Sequence, residues 1–269
     1  MDWVHAVVLA VIQAVTEFLP ISSSGHLILV PYLLGWPDQG LSYDIAVNTG
    51  TMLAVVVYLR RDVKEVVAGF FRALARRRIG DDPGARMAWH LILATIPAGL
   101  AGLAFHDLVE HSARDPRVVA VNAILFGVIL FIADRRGKRQ RTLTGFSWKD
   151  ALLFGVAQAL ALIPGTSRSG ITMTAGLFSG FTRAECARFS FLMAVPVGVL
   201  AGLLDAIKLV TGPELVPGSL GGMAIGLVVS GVSAYWVIDW LMGWLQKQTL
   251  TVFVIYRLLL GVAIFTLAL

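Results

Sequence analysis

Apolar residues fill this chain in long, closely spaced runs. Six are long enough to cross a bilayer: Leu41 to Leu59, Ala88 to Phe105, Val118 to Ala133, Ala187 to Val210, Leu220 to Gly243 and Leu250 to Leu269. Two other regions, Trp3 to Trp36 and Asp150 to Phe181, each divide into two short apolar halves joined at a Pro/Gly/Ser-rich break. Backbone inside hydrocarbon must satisfy its own hydrogen bonds, so the runs are predicted to be helices. A break at membrane depth is tolerated only where protein or a water-filled cavity surrounds it. The pattern predicts an all-α integral membrane protein with a single membrane domain, in which both broken regions fold as re-entrant helical hairpins. The short alternating strands of a membrane barrel are not in evidence.

The two broken regions are related. Gln13-Ala14 recurs as Gln158-Ala159, Ser22-Ser23-Ser24-Gly25 as Ser167-Arg168-Ser169-Gly170, and Gly35 as Gly180, all at one constant offset. Residues 1–134 and 150–269 are thus two repeats, each a hairpin (about 3–36 and 150–181) followed by three spans. Basic residues cluster in two connections. Arg60, Arg61, Lys64, Arg72, Arg76, Arg77, Arg78 and Arg86 outweigh the acids of the first, and Arg135, Arg136, Lys138, Arg139 and Arg141 dominate the second. The positive-inside rule makes both cytoplasmic. Counting outward places Asp107, Glu110 and Asp115 outside, Arg183, Arg188 and Lys247 inside, and both termini outside. The repeats then enter from opposite sides, the inverted-topology plan, with the hairpin tips meeting near the midplane.

Composition agrees, with 57% hydrophobic and only 14% charged residues. The pI of about 9.7 reflects the two cytoplasmic clusters rather than a nucleic-acid-binding patch, so no nucleic-acid partner is expected. A lone cysteine, Cys186, excludes an internal disulfide and a cysteine metal cluster. The segment Met1-Asp2-Trp3 lacks the basic region of a signal peptide, so the first apolar run is expected to stay in the mature protein.

The chemistry sits at the breaks. Gln13 and Glu17, four apart, share a helix face. Pro20 ends that helix, and Ser22, Ser23, Ser24 and Gly25 then offer hydroxyls and bare N–H groups at a second helix start, with His26 beside them. The second tip, Pro164 to Thr172, carries Arg168 among Thr166, Ser167, Ser169 and Thr172. A guanidinium suits bidentate phosphate recognition. The half with the arginine has Leu162 where Glu17 would be, so the two tips together make one composite site. For a diphosphate, Arg168 and the serine-rich backbone would neutralise charge. Ser23 or His26 would attack, or His26 would activate water, and Glu17 would act as base or as ligand of a hard cation. The plainer alternatives are that the serines only cap helices and that Arg168 only neutralises Glu17. Asp44, Asn48 and Thr49 are further candidate lining residues. Arg257 and Asp239 are expected to pair with one another, and His5, His90, His106 and His111 to be interfacial.

On Gln13 to His26 and Pro164-Gly165-Thr166-Ser167-Arg168-Ser169, the sequence resembles the undecaprenyl-diphosphate phosphatase family of the bacitracin-resistance type, over nearly its whole length. The resemblance implies hydrolysis of undecaprenyl diphosphate to undecaprenyl phosphate and inorganic phosphate. That would recycle the lipid carrier for peptidoglycan synthesis and give bacitracin resistance. It implies a multi-pass protein of the bacterial inner membrane, a polyisoprenyl diphosphate lipid as substrate, and a divalent cation, Mg²⁺ or Ca²⁺. It makes Glu17, Ser23, His26 and Arg168 the catalytic residues, with Glu17 also holding metal. Gln13, Ser22, Ser24, Gly25, Ser167, Ser169 and Thr172 fall to phosphate binding. Two positions depart from the family pattern: Gln13 replaces a glutamate found in many members, and Ala14 a usual glycine. The first hairpin enters from outside, so an external, periplasmic opening is favoured. A homodimer fits the general prevalence of two-fold oligomers. The competing class is a secondary transporter or flippase for an isoprenoid lipid phosphate or another anion, since inverted repeats with broken helices also build carriers.

Overall fold

The computed structural model describes residues 2–37, 39–105, 116–211 and 220–267, and the regular elements among them are helices. They run α1 (Trp3–Phe18), α2 (Ser23–Leu34), α3 (Leu41–Tyr58), α4 (Arg60–Arg76), α5 (Pro83–Ala104), α6 (Pro116–Arg136), a 3₁₀ turn (Leu143–Gly145), α7 (Trp148–Leu160), α8 (Arg168–Phe178), α9 (Arg183–Thr211), α10 (Leu220–Lys247) and α11 (Thr251–Leu267). Helices α5, α6, α9 and α10 are long and apolar enough to cross a bilayer, and α3 joined to α4 makes a fifth candidate. Helix α11 is a shorter apolar helix, as is α1. The outward faces carry large apolar side chains, such as Leu100, Leu103, Trp236 and Leu259 at 63%, 74%, 67% and 65% exposure. Such surface is what lipid covers, and the chain is a multi-pass membrane protein.

One expectation is corrected. The first basic connection is not a loop: α4 occupies most of it, turned 85° from α3. Val63, Val66, Val67, Phe70, Phe71 and Leu74 recur along it at helical spacing, with Arg60, Arg61, Lys64, Arg72 and Arg76 between them. This stripe is that of a helix lying flat at an interface. It crosses α5 closely, since a Cβ on Gly69 would meet the Ala85 nitrogen at 2.3 Å. The predicted outer loop containing His106, Asp107, Glu110, His111, Arg114 and Asp115 lies outside the described residues.

Small residues bring helices together where lipid supplies no hydrophobic drive. On α3, a Cβ at Gly50 would lie 2.3 Å from the Leu227 carbonyl of α10, and Ser230 Oγ donates to the Val47 carbonyl at 3.0 Å. The segments assigned to the cytoplasm gather at one end of the molecule. Asp134 takes Arg183 and, at 3.0 Å, the Leu250 backbone N–H; Arg188 pairs with Asp62, and Arg141 with Asp150.

Both broken regions are helix–turn–helix units. Leu19, preceding Pro20, is extended at φ −66°, ψ 142°, as proline demands of its predecessor, and α1 stops there. Helix α2 begins after Ser22 at φ 75°, and α8 begins after Ser167 at φ 70°. These serines occupy equivalent positions in the two halves, and both adopt a left-handed conformation that ordinarily favours glycine. Beyond each second half-helix, the equivalent glycines Gly35 and Gly180 also have positive φ, 63° and 85°, the usual device for ending a helix.

Candidate active site at the hairpin tips

Burial of the two tips against one another assembles a polar cluster from residues some 150 positions apart. Arg168 Nη2 donates to Glu17 Oε1 at 3.0 Å. Ser23 Oγ donates to Glu17 Oε2 at 2.7 Å, and Gln13 Nε2 reaches the same oxygen at 3.2 Å. Both side chains of the Arg168–Glu17 pair keep about a fifth of their surface exposed, 17% and 20%. The pair is therefore sheltered but open on one side. Ser23 and Arg168 are equivalent positions of the two halves, and each is the first residue of its half-helix. One local geometry thus presents a hydroxyl from one side of Glu17 and a guanidinium from the other.

Several contacts fix these groups. Gln13 is 1% exposed and also donates to Asn48 Oδ1 of α3 at 2.7 Å. Arg168 Nη1 donates to the Ser190 carbonyl of α9 at 3.1 Å. Thr172 bonds the Arg168 carbonyl at 2.8 Å and Ser190 Oγ at 2.8 Å, so it braces the arginine from behind. His26 is 6% exposed. Its Nδ1 lies 2.7 Å from the Ser22 carbonyl and its Nε2 2.6 Å from Tyr256 Oη of α11. A carbonyl only accepts, so Nδ1 carries the proton and Nε2 accepts from the tyrosine. The imidazole is therefore turned toward Ser22 and Tyr256, while the hydroxyl of Ser23 is held by Glu17.

The other predicted phosphate ligands divide. Ser167 caps α8, accepting from the Gly170 N–H at 3.2 Å, and Ser169 donates to the Leu19 carbonyl at 3.0 Å, strapping one tip to the other. Ser22 contributes its carbonyl to His26. Gly25 is buried, and a Cβ there would lie 3.2 Å from Val119. The side chain of Ser24 lies outside what the structure describes.

Arg257 corrects a second expectation. It does not pair with Asp239, which instead accepts from Tyr58 Oη at 3.1 Å. Fully buried, Arg257 donates to four carbonyls: Ala123 at 3.1 Å, Asn122 at 3.3 Å, Pro20 at 3.4 Å and Gly165 at 3.0 Å. It clamps the first tip, the second tip and α6. Each broken turn leaves carbonyls without helical partners, and one guanidinium satisfies several of them. His90 is buried and packs on Phe146 and Trp148. Sequence reading missed Tyr256 and Ser190 altogether. Each is one polar residue within an apolar run, and only the tertiary fold brings it to the site.

The donor set sets limits on a cation. Among the described residues no three His, Cys, Asp or Glu side chains gather as a metal cluster. Glu17 is the single carboxylate at the tips, and Arg168 already balances its charge. Gln13 Oε1 is buried without a hydrogen-bond partner, a second oxygen beside it. These groups fit a hard cation that takes its remaining ligands from phosphate oxygens and water.

A protein of Magnetococcus marinus named undecaprenyl-diphosphatase is 53% identical over 267 residues, covering 98% of each chain. Its namesake from Teredinibacter turnerae is 48% identical over 98% of this chain and 99% of its own. An undecaprenyl-diphosphatase 2 from Stutzerimonas stutzeri is 49% identical over 99% of this chain and 98% of its own. Residues 6–263 match the family described as bacitracin resistance protein BacA, and the chain belongs to that family.

Proposed function

We propose that this protein hydrolyses undecaprenyl diphosphate to undecaprenyl phosphate and inorganic phosphate, recycling the lipid carrier of cell-wall synthesis and conferring bacitracin resistance. The observation that carries the reading is the convergence of Ser23 and Arg168, from separate hairpins, on the two oxygens of Glu17. Ser23 attacks the terminal phosphorus and gives its proton to Glu17, the acceptor it already faces. The bond from that phosphorus to the bridging oxygen breaks, and undecaprenyl phosphate leaves with the electron pair. Water then cleaves the phosphoserine and releases inorganic phosphate. Arg168 and the backbone N–H groups at the start of α2 hold the nonbridging oxygens. His26, its Nε2 facing Tyr256 Oη, serves proton transfer on the flank away from Glu17. Glu17 and Gln13 Oε1 would hold Mg²⁺ or Ca²⁺ together with the substrate, and a bound divalent cation supplies further neutralisation of phosphate charge.

The architecture is two inverted-topology repeats of one re-entrant hairpin plus three spans. The shared left-handed serines and terminal glycines support this reading. The protein belongs in the bacterial inner membrane, with its site open to the periplasmic side. Asn48, near the middle of α3, is exposed and bonded to Gln13, so the polar cluster reaches the molecular surface there. A homodimer is the proposed oligomer. The competing carrier reading needs binding groups but no nucleophile.

The test is phosphate release from a long-chain isoprenyl diphosphate by the purified protein, with and without Mg²⁺. Glu17→Ala, Ser23→Ala and Arg168→Ala are each expected to lower the rate by about two to four orders of magnitude. Absence of release by folded wild type under every metal condition would turn the assignment to transport.

A further inference from the structure

A cavity of about 310 Å³ lies between α4, α5, α9 and the 3₁₀ turn, beside the Arg188–Asp62 ion pair. Its chemistry is mixed. Asp62, Glu65 and Asp81 face it with Arg86 and Arg188, and the buried His90 forms part of its wall. Asp62 pairs with Arg188 and Asp81 with Arg86. Glu65 makes no ion pair within the described residues, so the carboxylates outnumber the guanidiniums. The active site is on the opposite face of α9. Arg188 and Leu192, one turn apart, face the cavity, whereas Ser190 between them holds Arg168.

An apolar groove of about 270 Å³ adjoins this cavity, walled by Val63, Phe70 and Phe71 of α4, Ile92 of α5 and Val195 of α9. Val66 and Leu192 line both spaces, so one leads into the other. Helix α4 lies across the direction of α3 with Val67 and Phe71 at 49% and 61% exposure. A charged chamber opening onto a greasy trench, at the depth where α4 meets the headgroups, has the polarity of a phospholipid.

We propose that this cavity and groove bind a phospholipid of the inner leaflet with a primary ammonium and a phosphate in its headgroup, of the phosphatidylethanolamine type. The choice follows from charge complementarity. Paired opposite charges match a zwitterion, the guanidiniums suit its phosphodiester, and Glu65, which feels Arg188 and Arg72 without closing an ion pair on either, accepts from its ammonium. A purely anionic headgroup would meet an excess of carboxylates. The acyl chain lies along the groove.

The measurement is lipid retention by the full-length protein released from bilayer nanodiscs of equal phosphatidylethanolamine and phosphatidylglycerol content, read by native mass spectrometry. Wild type is expected to keep the ethanolamine lipid by about fivefold over the glycerol lipid, the effect of one interfacial charge. Glu65→Gln, an isosteric change at an exposed position, and Val66→Trp, which fills the junction of cavity and groove, should each abolish the preference while phosphate release stays unchanged. Equal retention of both lipids, an excess of the glycerol lipid, preferential capture of an added isoprenyl monophosphate, or a preference surviving both substitutions would overturn the proposal.

Discussion

Single residues decide the chemistry, and Tyr256 shows how a site reaches beyond its motifs. It faces His26 Nε2 at 2.6 Å with the rings stacked 5.6 Å apart. Tyr256→Phe keeps the stacking and removes the hydroxyl. The rate of phosphate release is expected to fall about tenfold, the worth of one such hydrogen bond, with KM little altered, because the tyrosine acts through the imidazole rather than on the lipid. Equal loss in a His26→Ala background would show that the two residues act independently. Glu17, Ser23, His26 and Arg168 were legible in the chain because an ionisable group amid apolar residues is costly and stands out. Tyr256 and Ser190 were not, since neither is costly at a membrane helix position and only the fold brings them to His26 and Arg168. Arg257 was legible as anomalous but not as a clamp. Its partners are backbone carbonyls, which carry no signature in sequence.

At the level of elements, breaks matter as much as helices. Gly165 has φ 85°, and a Cβ there would stand 2.3 Å from the Val119 carbonyl of α6. Gly165→Ala is expected to cost about 2 kcal/mol or more through the left-handed backbone and the collision together. It would also displace the Gly165 carbonyl from Arg257. A lowered melting temperature and a reduced rate of phosphate release by the same variant would check this. Loss of rate without loss of stability would instead confine the effect to the tip. The half-helices themselves were readable from Pro20 and Pro164-Gly165 and from apolar stretches too short to span. Helix α4 was overlooked because its charges lower its hydropathy below that of a span, although its stripe from Val63 to Leu74 has helical period. Hydropathy registers only what is apolar all round, and an interfacial helix is apolar on one side.

For the whole molecule, orientation is the open quantity with the sharpest test. Arg188 with Asp62, Arg183 with Asp134 and Arg141 with Asp150 pair among the segments that the charge bias assigns to the cytoplasm. Cysteines placed beside Ser23 in sealed cells should react with a membrane-impermeant thiol reagent added outside, whereas one at Arg78 should react only after permeabilisation. Protection at Ser23 from the outside reagent would reverse the proposed opening. The native Cys186 is fully buried and should stay silent in this assay. The sequence pattern reached the all-helical membrane class but counted six spans, where four helices are long and apolar enough to cross and α3 with α4 makes a fifth. It did not reach how the halves are locked, because close helix crossings such as Gly50 on Leu227 depend on shape rather than on polarity.

The equivalence of Ser23 and Arg168 carries a consequence for how such a molecule can be divided. Two copies of the first half would bring two carboxylates and two hydroxyls with no arginine, and two copies of the second half two guanidiniums with no carboxylate. Neither pairing supplies a nucleophile opposite a cation. The site therefore exists only as a heteromeric partnership that happens to be carried on one polypeptide. Severed at the connection around Arg139, the two pieces are expected to release no phosphate apart and to do so only as complementary fragments in the same membrane.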